Sequence, residues 1–279
     1  MNNRIHVLYC GDRVYFKGIY LCALSAVRRT KAPISFHLMT MEVEDNKRKY
    51  QPISQVELEA FDKMIKEFNK DNDVHLYDIS EAYLNTIANS KNHNSRFSPY
   101  ALARLFAEEF LPENIKNIIY LDADTMTNSS LEAFNEYDIT NYELAACIDY
   151  LGKFWLGNEY FNSGVLIMNM EKIRQTHLLD RCRELVLNKK MFFADQDALN
   201  KLVKDLLYLP GKFNEQRYSE SKRKKDTVIS HYPSHVWHFW DPVRPWQIEL
   251  MHSRYKIHTF DEDYEYYLAN FPFEECEKK

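Results

Sequence analysis

"IIYLDADTMT", residues 118–127, decides how this chain is read. Four apolar residues, Ile118 to Leu121, suit a buried strand and are too few for a helix. Asp122 and Asp124 follow at once, two positions apart. In an extended backbone residues i and i+2 project to one side, so both carboxylates would enter one small volume. Like charges that close raise each other's pKa unless a cation joins them. The pattern thus asks for a positive partner.

Several readings fit the pair alone. Hard oxygen ligands suit Mg²⁺ or Mn²⁺, and Mg²⁺ usually also binds substrate phosphates. A phosphatase-like aspartate nucleophile wants Thr or Val where Met126 stands, and it wants the pair near the start of the chain. An EF-hand loop fails at Met126, Thr127 and Ala133, where Asp or Asn, Gly and Glu belong. The plain reading is two solvated loop acids or helix caps.

Outward from the pair, the chain alternates strands and helices. "RIHVLYCGD" (4–12), "ISFHLMT" (34–40) and "DVHLYDI" (73–79) read as strands. "YFKGIYLCALSAVRRT" (15–30) reads as a helix. So does "PISQVELEAFDKMIKEFNK" (52–70), where Ser54 and Glu57 make a capping box and Phe61, Met64, Ile65 and Phe68 form one stripe. "SPYALARLFAEEFL" (98–111) adds a helix with Ser98 as N-cap and Pro99 at its first position. This alternation predicts an α/β chain with a mostly parallel sheet. Ligands bind such sheets beyond the carboxyl ends of the strands, which places Asp12 on one rim with Asp122 and Asp124.

Further on, "ELAACIDY" (143–150) and "NSGVLIMNM" (162–170) read as strands, with a small flexible turn at Ser163-Gly164. "EKIRQTHLLDRCRELVLNKK" (171–190) and "DQDALNKLVKDLLY" (195–208) read as helices. Residues 211–235 are polar and read as an exposed loop. Residues 1–250 form one domain in this reading, and 251–279 a C-terminal appendage.

Composition narrows the function. The chain has 279 residues, with 36 Lys plus Arg against 41 Asp plus Glu, a net charge of −5. That argues against a nucleic-acid footprint. Five scattered cysteines without metal spacing suggest reduced thiols in a cytoplasmic protein. No stretch approaches the apolar length of a membrane span. The "KRKK" run (222–225) offers peripheral contact with an anionic membrane or acceptor, although a solvated loop is the plainer reading.

Three later stretches supply partners for the acids. "YFNSGVLIMNM" (160–170) brings Asn162, which both donates and accepts hydrogen bonds. "FADQDALN" (193–200) gathers Asp195 and Gln196 at a helix start, where capping explains Asp195 and leaves Gln196 unexplained. "HFWDPVRPW" (238–246) joins His238 to Arg244 within a tryptophan frame. With the D-x-D, these stretches resemble family 8 of the retaining glycosyltransferases, in order over residues 4–246.

The resemblance implies a GT-A fold, a Rossmann-like sheet around a metal-binding D-x-D. It implies that Asp122, Asp124 and His238 hold Mn²⁺, with Mg²⁺ the alternative; the imidazole tilts the choice toward manganese. It implies a UDP-sugar donor, with Asp12 near the base, Arg104 on the donor, and Asp149 and Asn162 lining the sugar pocket. Asp195 would bind donor-sugar hydroxyls and Gln196 would lie beside the anomeric carbon. Arg244 stands where the family pattern H-F-x-G-x-x-K-P-W has Lys, and Asp241 where it has Gly. Arginine still suits a phosphate. The expected reaction moves galactose, or next glucose, to a glycan, glycolipid or glycoprotein. The alternative is a non-catalytic carbohydrate-binding or nucleotide-sugar-binding protein of the same fold.

Overall fold

The computed structural model of the chain describes residues 4–233 and 243–273. Eleven strands run in chain order among them. They are β1 (Ile5–Cys10), β2 (Ile34–Thr40), β3 (Val43–Glu44), β4 (Lys49–Tyr50), β5 (Asp73–Asp78) and β6 (Asn117–Leu121). Then come β7 (Thr125–Thr127), β8 (Leu144–Ile148), β9 (Phe161–Asn169), β10 (Leu206–Tyr208) and β11 (Ile229–His231). Seven form the main sheet in the order β10-β8-β9-β6-β1-β2-β5. All pairings in it are parallel except those of β9, which runs against both β6 and β8. The mostly parallel α/β sheet expected from the sequence is present.

Its strands are apolar almost throughout because helices cover both faces. Alternate residues divide between two cores. Val7 and Tyr9 of β1 pack on one side with Phe36, Leu38, Ile119 and Leu121. Leu8 and Cys10 pack on the other with Met39, Ile118 and Tyr120. The helix Phe16–Val27 closes the first face beside Gln55–Phe68. The capping box of the latter is formed: Ser54 Oγ accepts from Glu57 N–H at 3.3 Å, and Glu57 Oε2 from Ser54 N–H at 2.7 Å.

Several elements depart from the sequence reading. Residues 171–190 make two helices, Met170–Thr176 and Leu178–Asn188, broken at His177 with φ 54°. The left-handed residue redirects the chain so that Leu178, Leu179 and Cys182 reach the second core. Residues 206–208 pair with β8 instead of extending a helix. Residues 98–111 form a 3-10 turn series, Pro99–Phe106, before a short α-helix, with Ser98 capping as expected. The 211–235 stretch contains β11, which pairs antiparallel with β7 and is wholly buried.

Near the end of the chain, Asp261–Asn270 forms a helix against the helix at 16–27. Asp263 sits between Arg28 and Arg29 at 3.2 and 2.7 Å. Tyr264 and Tyr267 join the first core. Among the described residues no helix is long and apolar enough to cross a membrane. Cys10, Cys22, Cys147 and Cys182 are free and buried.

Candidate active site

β6 ends at Leu121 and the chain turns there: Thr125 N–H donates to Asp122 C=O at 3.2 Å. The acids therefore converge through a tight turn, rather than through the alternation of an extended strand. β7 leaves the turn and pairs with β11, setting His231 opposite Thr125. That pairing carries the imidazole over both carboxylates.

Each acid commits one oxygen to the protein and aims the other at His231. Asp122 Oδ1 accepts from Arg104 Nη2 at 2.8 Å and from Tyr120 Oη at 2.6 Å. Its Oδ2 lies 3.8 Å from His231 Nε2. Asp124 Oδ2 pairs with Arg244, and its Oδ1 lies 3.3 Å from His231 Nε2. Asp124 Oδ1 and His231 Nε2 are both buried without a hydrogen-bond partner.

A chain of hydrogen bonds fixes which imidazole nitrogen carries the proton. Gly164 N–H donates to Asn162 Oδ1 at 2.9 Å, so that atom is an acceptor. Asn214 Nδ2 donates to the same oxygen at 2.9 Å. Asn214 Oδ1 therefore faces His231 Nδ1, 2.9 Å away, and accepts its proton. Nε2 is left with a lone pair directed at two carboxylate oxygens. In that neutral tautomer three electron-pair donors converge, an arrangement that a divalent cation satisfies. Their ligand atoms lie within 4.8 Å of one another. Two carboxylates and one imidazole fit a divalent cation.

Gly164 also makes room. A Cβ there would lie 2.2 Å from His231 Cε1 and 2.7 Å from Asp122 Oδ2. The glycine sits inside β9, not in a turn before it, and its role is close approach.

Arg104 is 3% exposed and binds the acids from beneath. Besides Asp122 it meets Asp195 Oδ2 at 3.2 Å, donates to Ser163 C=O, and stacks 3.9 Å above the Tyr120 ring. Asp195 also accepts from Ser163 Oγ at 3.1 Å. Burial pushes its carboxyl up to about 6, against the opposing pull of Arg104. Asp195 does not cap its helix, Ala194–Leu202, in the way the plain reading of the sequence would have it. Ala194, at φ 46°, swings that helix start inward so that Asp195 faces Arg104. Asp197 instead accepts from Phe192 N–H and Phe193 N–H at 2.8 and 3.0 Å.

Gln196 is held at both ends, accepting from Ser163 N–H at 3.0 Å and donating to Asp149 Oδ2 at 3.3 Å. Asp149 Oδ2 also accepts from Asn162 Nδ2 at 3.0 Å. These groups line one cavity of about 530 Å³ together with Asp122, Asp124, His231 and Arg244. Asp12 sits just behind it, its carboxylate turned to Arg48 at 2.7 Å and Tyr15 N–H at 2.9 Å. Burial raises its pKa despite Arg48.

The structure thus gathers nine of the ten residues singled out from the sequence at or directly behind one cavity: Asp12, Arg104, Asp122, Asp124, Asp149, Asn162, Asp195, Gln196 and Arg244. His238, the tenth, lies outside the described residues, as does Asp241. The imidazole that reaches the pair among the described residues is His231, which the sequence reading left in an exposed loop. Asn214 was missed with it. The available signal was "TVISHY" (227–232), a β-branched run that ends on a histidine.

Comparison with known proteins places the chain in a family. The family model described as "Glycosyl transferase family 8" matches residues 6–249. A putative glycosyltransferase of Haemophilus influenzae is 26% identical over 261 residues, covering 84% of this chain and 73% of that protein. The lipopolysaccharide glucosyltransferase WaaO of Escherichia coli K12 is 23% identical over 264 residues, covering 85% and 73%. A galactosyltransferase crystallised with donor and acceptor sugar analogs has the same fold, with a TM-score of 0.71 at 20% identity, covering 97% of this chain and 98% of that one.

Proposed function

From a chain that belongs to glycosyl transferase family 8 and carries the GT-A fold, we propose a metal-dependent transfer of a hexose from a UDP-sugar to a glycan hydroxyl, with retention at the anomeric carbon. One observation carries the proposal: the unpartnered oxygen of Asp124 and nitrogen of His231, buried and facing each other beside Asp122. Asp122, Asp124 and His231 would hold the ion, Mn²⁺ in preference to Mg²⁺. Bound there, it supplies positive charge against the departing diphosphate in place of a proton donor.

The chain's own residues do the rest. Arg244, paired with Asp124 at the cavity wall, brings a second cation to the same oxygens. Arg104 keeps two like charges, Asp122 and Asp195, in one buried place. Asp149, Asn162 and Gln196 form a linked set suited to sugar hydroxyls. Asp195 is tied to Arg104 and Ser163, which suits holding a hydroxyl better than attacking carbon. The anomeric carbon then exchanges its phosphate oxygen for the acceptor oxygen on the same face. The acceptor's proton passes to the leaving phosphate.

Relatives are named for both galactose and glucose, sugars that differ in one hydroxyl's orientation, so both donors are arms of the test. UDP release is measured from UDP-galactose and UDP-glucose with and without Mn²⁺. Turnover of at least one, lost on chelation, is expected. The change Asp124→Ala should cost about 10³-fold, since a Lewis acid is worth several kcal/mol. Full activity of that variant at saturating donor and metal would overturn the site.

A further inference from the structure

Two exposed aromatic side chains meet at the rim of the candidate active site. Among the described residues five large aromatics are well exposed: Tyr150 at 44%, Phe154 at 69%, Trp155 at 70%, Phe192 at 56% and Tyr208 at 43%. Tyr150, Phe154 and Trp155 fall in one short segment, and Phe192 in a second. Trp155 and Phe192 line the same cavity as Asp122, His231 and Gln196. Scattered apolar exposure is ordinary, whereas a gathered patch marks a binding surface.

Both segments are held in place. The guanidinium of Arg96 stacks 4.1 Å from the Phe192 ring and 5.1 Å from Phe193, and donates to Phe192 C=O at 3.3 Å. Asp197 fixes the same turn from the other side through two backbone amides. Trp155 stands on the short helix Gly152–Trp155. Asp149 Oδ1 accepts from the N–H groups of Leu151 and Gly152, at 3.1 and 2.6 Å, at the start of that helix. The other oxygen of Asp149 holds Asn162 and Gln196. One carboxylate therefore spans the inner cavity and its aromatic rim, so the rim is preorganised with respect to the reacting centre.

We infer that Trp155 and Phe192 form a shelf for the acceptor, on which a pyranose ring lies flat, outward from the ring that reacts. Flat aromatic faces match the C–H face of a pyranose, while its hydroxyls stay in water. The acceptor is then an oligosaccharide rather than a lone sugar or small alcohol. This rests on the transferase reading for the occupant of the inner cavity.

The test is saturation-transfer NMR with methyl β-lactoside as probe, in the presence of UDP and Mn²⁺, irradiating aromatic protons. Saturation of one sugar ring is expected in the wild type. The double change Trp155→Ala with Phe192→Ala should weaken lactoside binding about tenfold. The single change Trp155→Phe, which keeps a flat face, should retain most of it. Equal thermal midpoints show that the variants are folded. An unsaturated lactoside in the wild type, or equal saturation in the double variant, overturns the shelf. Metal-dependent binding of UDP by the wild type separates the two ideas: its absence sinks the transferase reading, and its presence beside a failed probe sinks the shelf alone.

Discussion

The inner and outer walls of the cavity are built on opposite plans. The inner wall is buried and over-determined: Arg104 touches Asp122, Asp195, Ser163 and Tyr120, and Asn214 joins His231 to Asn162. The outer wall is solvent-facing, with Trp155 on a four-residue helix. A group that must meet developing charge gains from being fixed in advance, because reorganisation then costs nothing during reaction. A surface that meets a variable sugar needs only a flat face in the right place. The inner wall should therefore be intolerant of change and the outer wall tolerant, in stability as well as in binding.

Arg104 offers the largest contrast. Replacing it by Met leaves Asp122 and Asp195 facing each other without a buried cation. Breaking such a network costs about 3–5 kcal/mol of stability. Urea unfolding of Arg104→Met measures this, and a loss under about 1 kcal/mol would mean the inner wall is looser than its contacts indicate.

Asn214 tests the next layer. It does not line the cavity, and its bonds to Asn162 and His231 would fix the His231 tautomer. Outer-shell partners of a metal-bound imidazole are worth about 10–100-fold in affinity. Mn²⁺ titration followed by electron paramagnetic resonance, without donor, should show that loss in Asn214→Ala. Asn214→Asp keeps an acceptor for the Nδ1 proton and should bind more tightly than the alanine variant. Equal affinities for both would refute the tautomer role.

Asp195 gives the pH dependence. Its folded carboxyl is raised to about 6, chiefly by burial. Protonation is thus favoured in the folded chain: the group's contribution to stability is present below about pH 4 and declines as pH rises toward 6. On its proposed role activity runs the other way, because the ionised form is the better acceptor for sugar hydroxyls. Donor kcat/KM should fall about tenfold per pH unit below 6, and Asp195→Asn should lose that limb. A wild-type profile flat to pH 5 would show that the charge of Asp195 is not used.

The same contrast explains what the sequence made legible. β1, β2, β5, β6 and the capped helix Gln55–Phe68 could be read because periodicity and capping are local signals. The D-x-D stood out because two acids directly follow an apolar run. His231 and Asn214 did not, because what brings them to the acids is long-range. Ile229–His231 is a three-residue strand defined by its partner β7, about a hundred positions earlier, and its neighbours "SKRKK" (221–225) make the stretch look solvated. β10 was hidden in the same way, its state set by pairing with β8 rather than by propensity. Gly164 was noticed as a glycine but credited with a turn; only the position of the imidazole across from it reveals the need for an absent Cβ.

Trp155 gives the smallest effect and completes the contrast. At 70% exposure it buries little apolar area, so truncation should remove little folding energy. The short helix Gly152–Trp155 has no buried residue, and the Asp149 contacts that fix its start are made to backbone N–H groups. Those contacts survive the loss of the indole. The stability of Trp155→Ala should lie within about 0.5 kcal/mol of the wild type in the same urea titration that reports on Arg104. A loss of several kcal/mol would mean that the indole is a structural prop for the Asp149 loop, and its exposure could no longer be credited to a ligand.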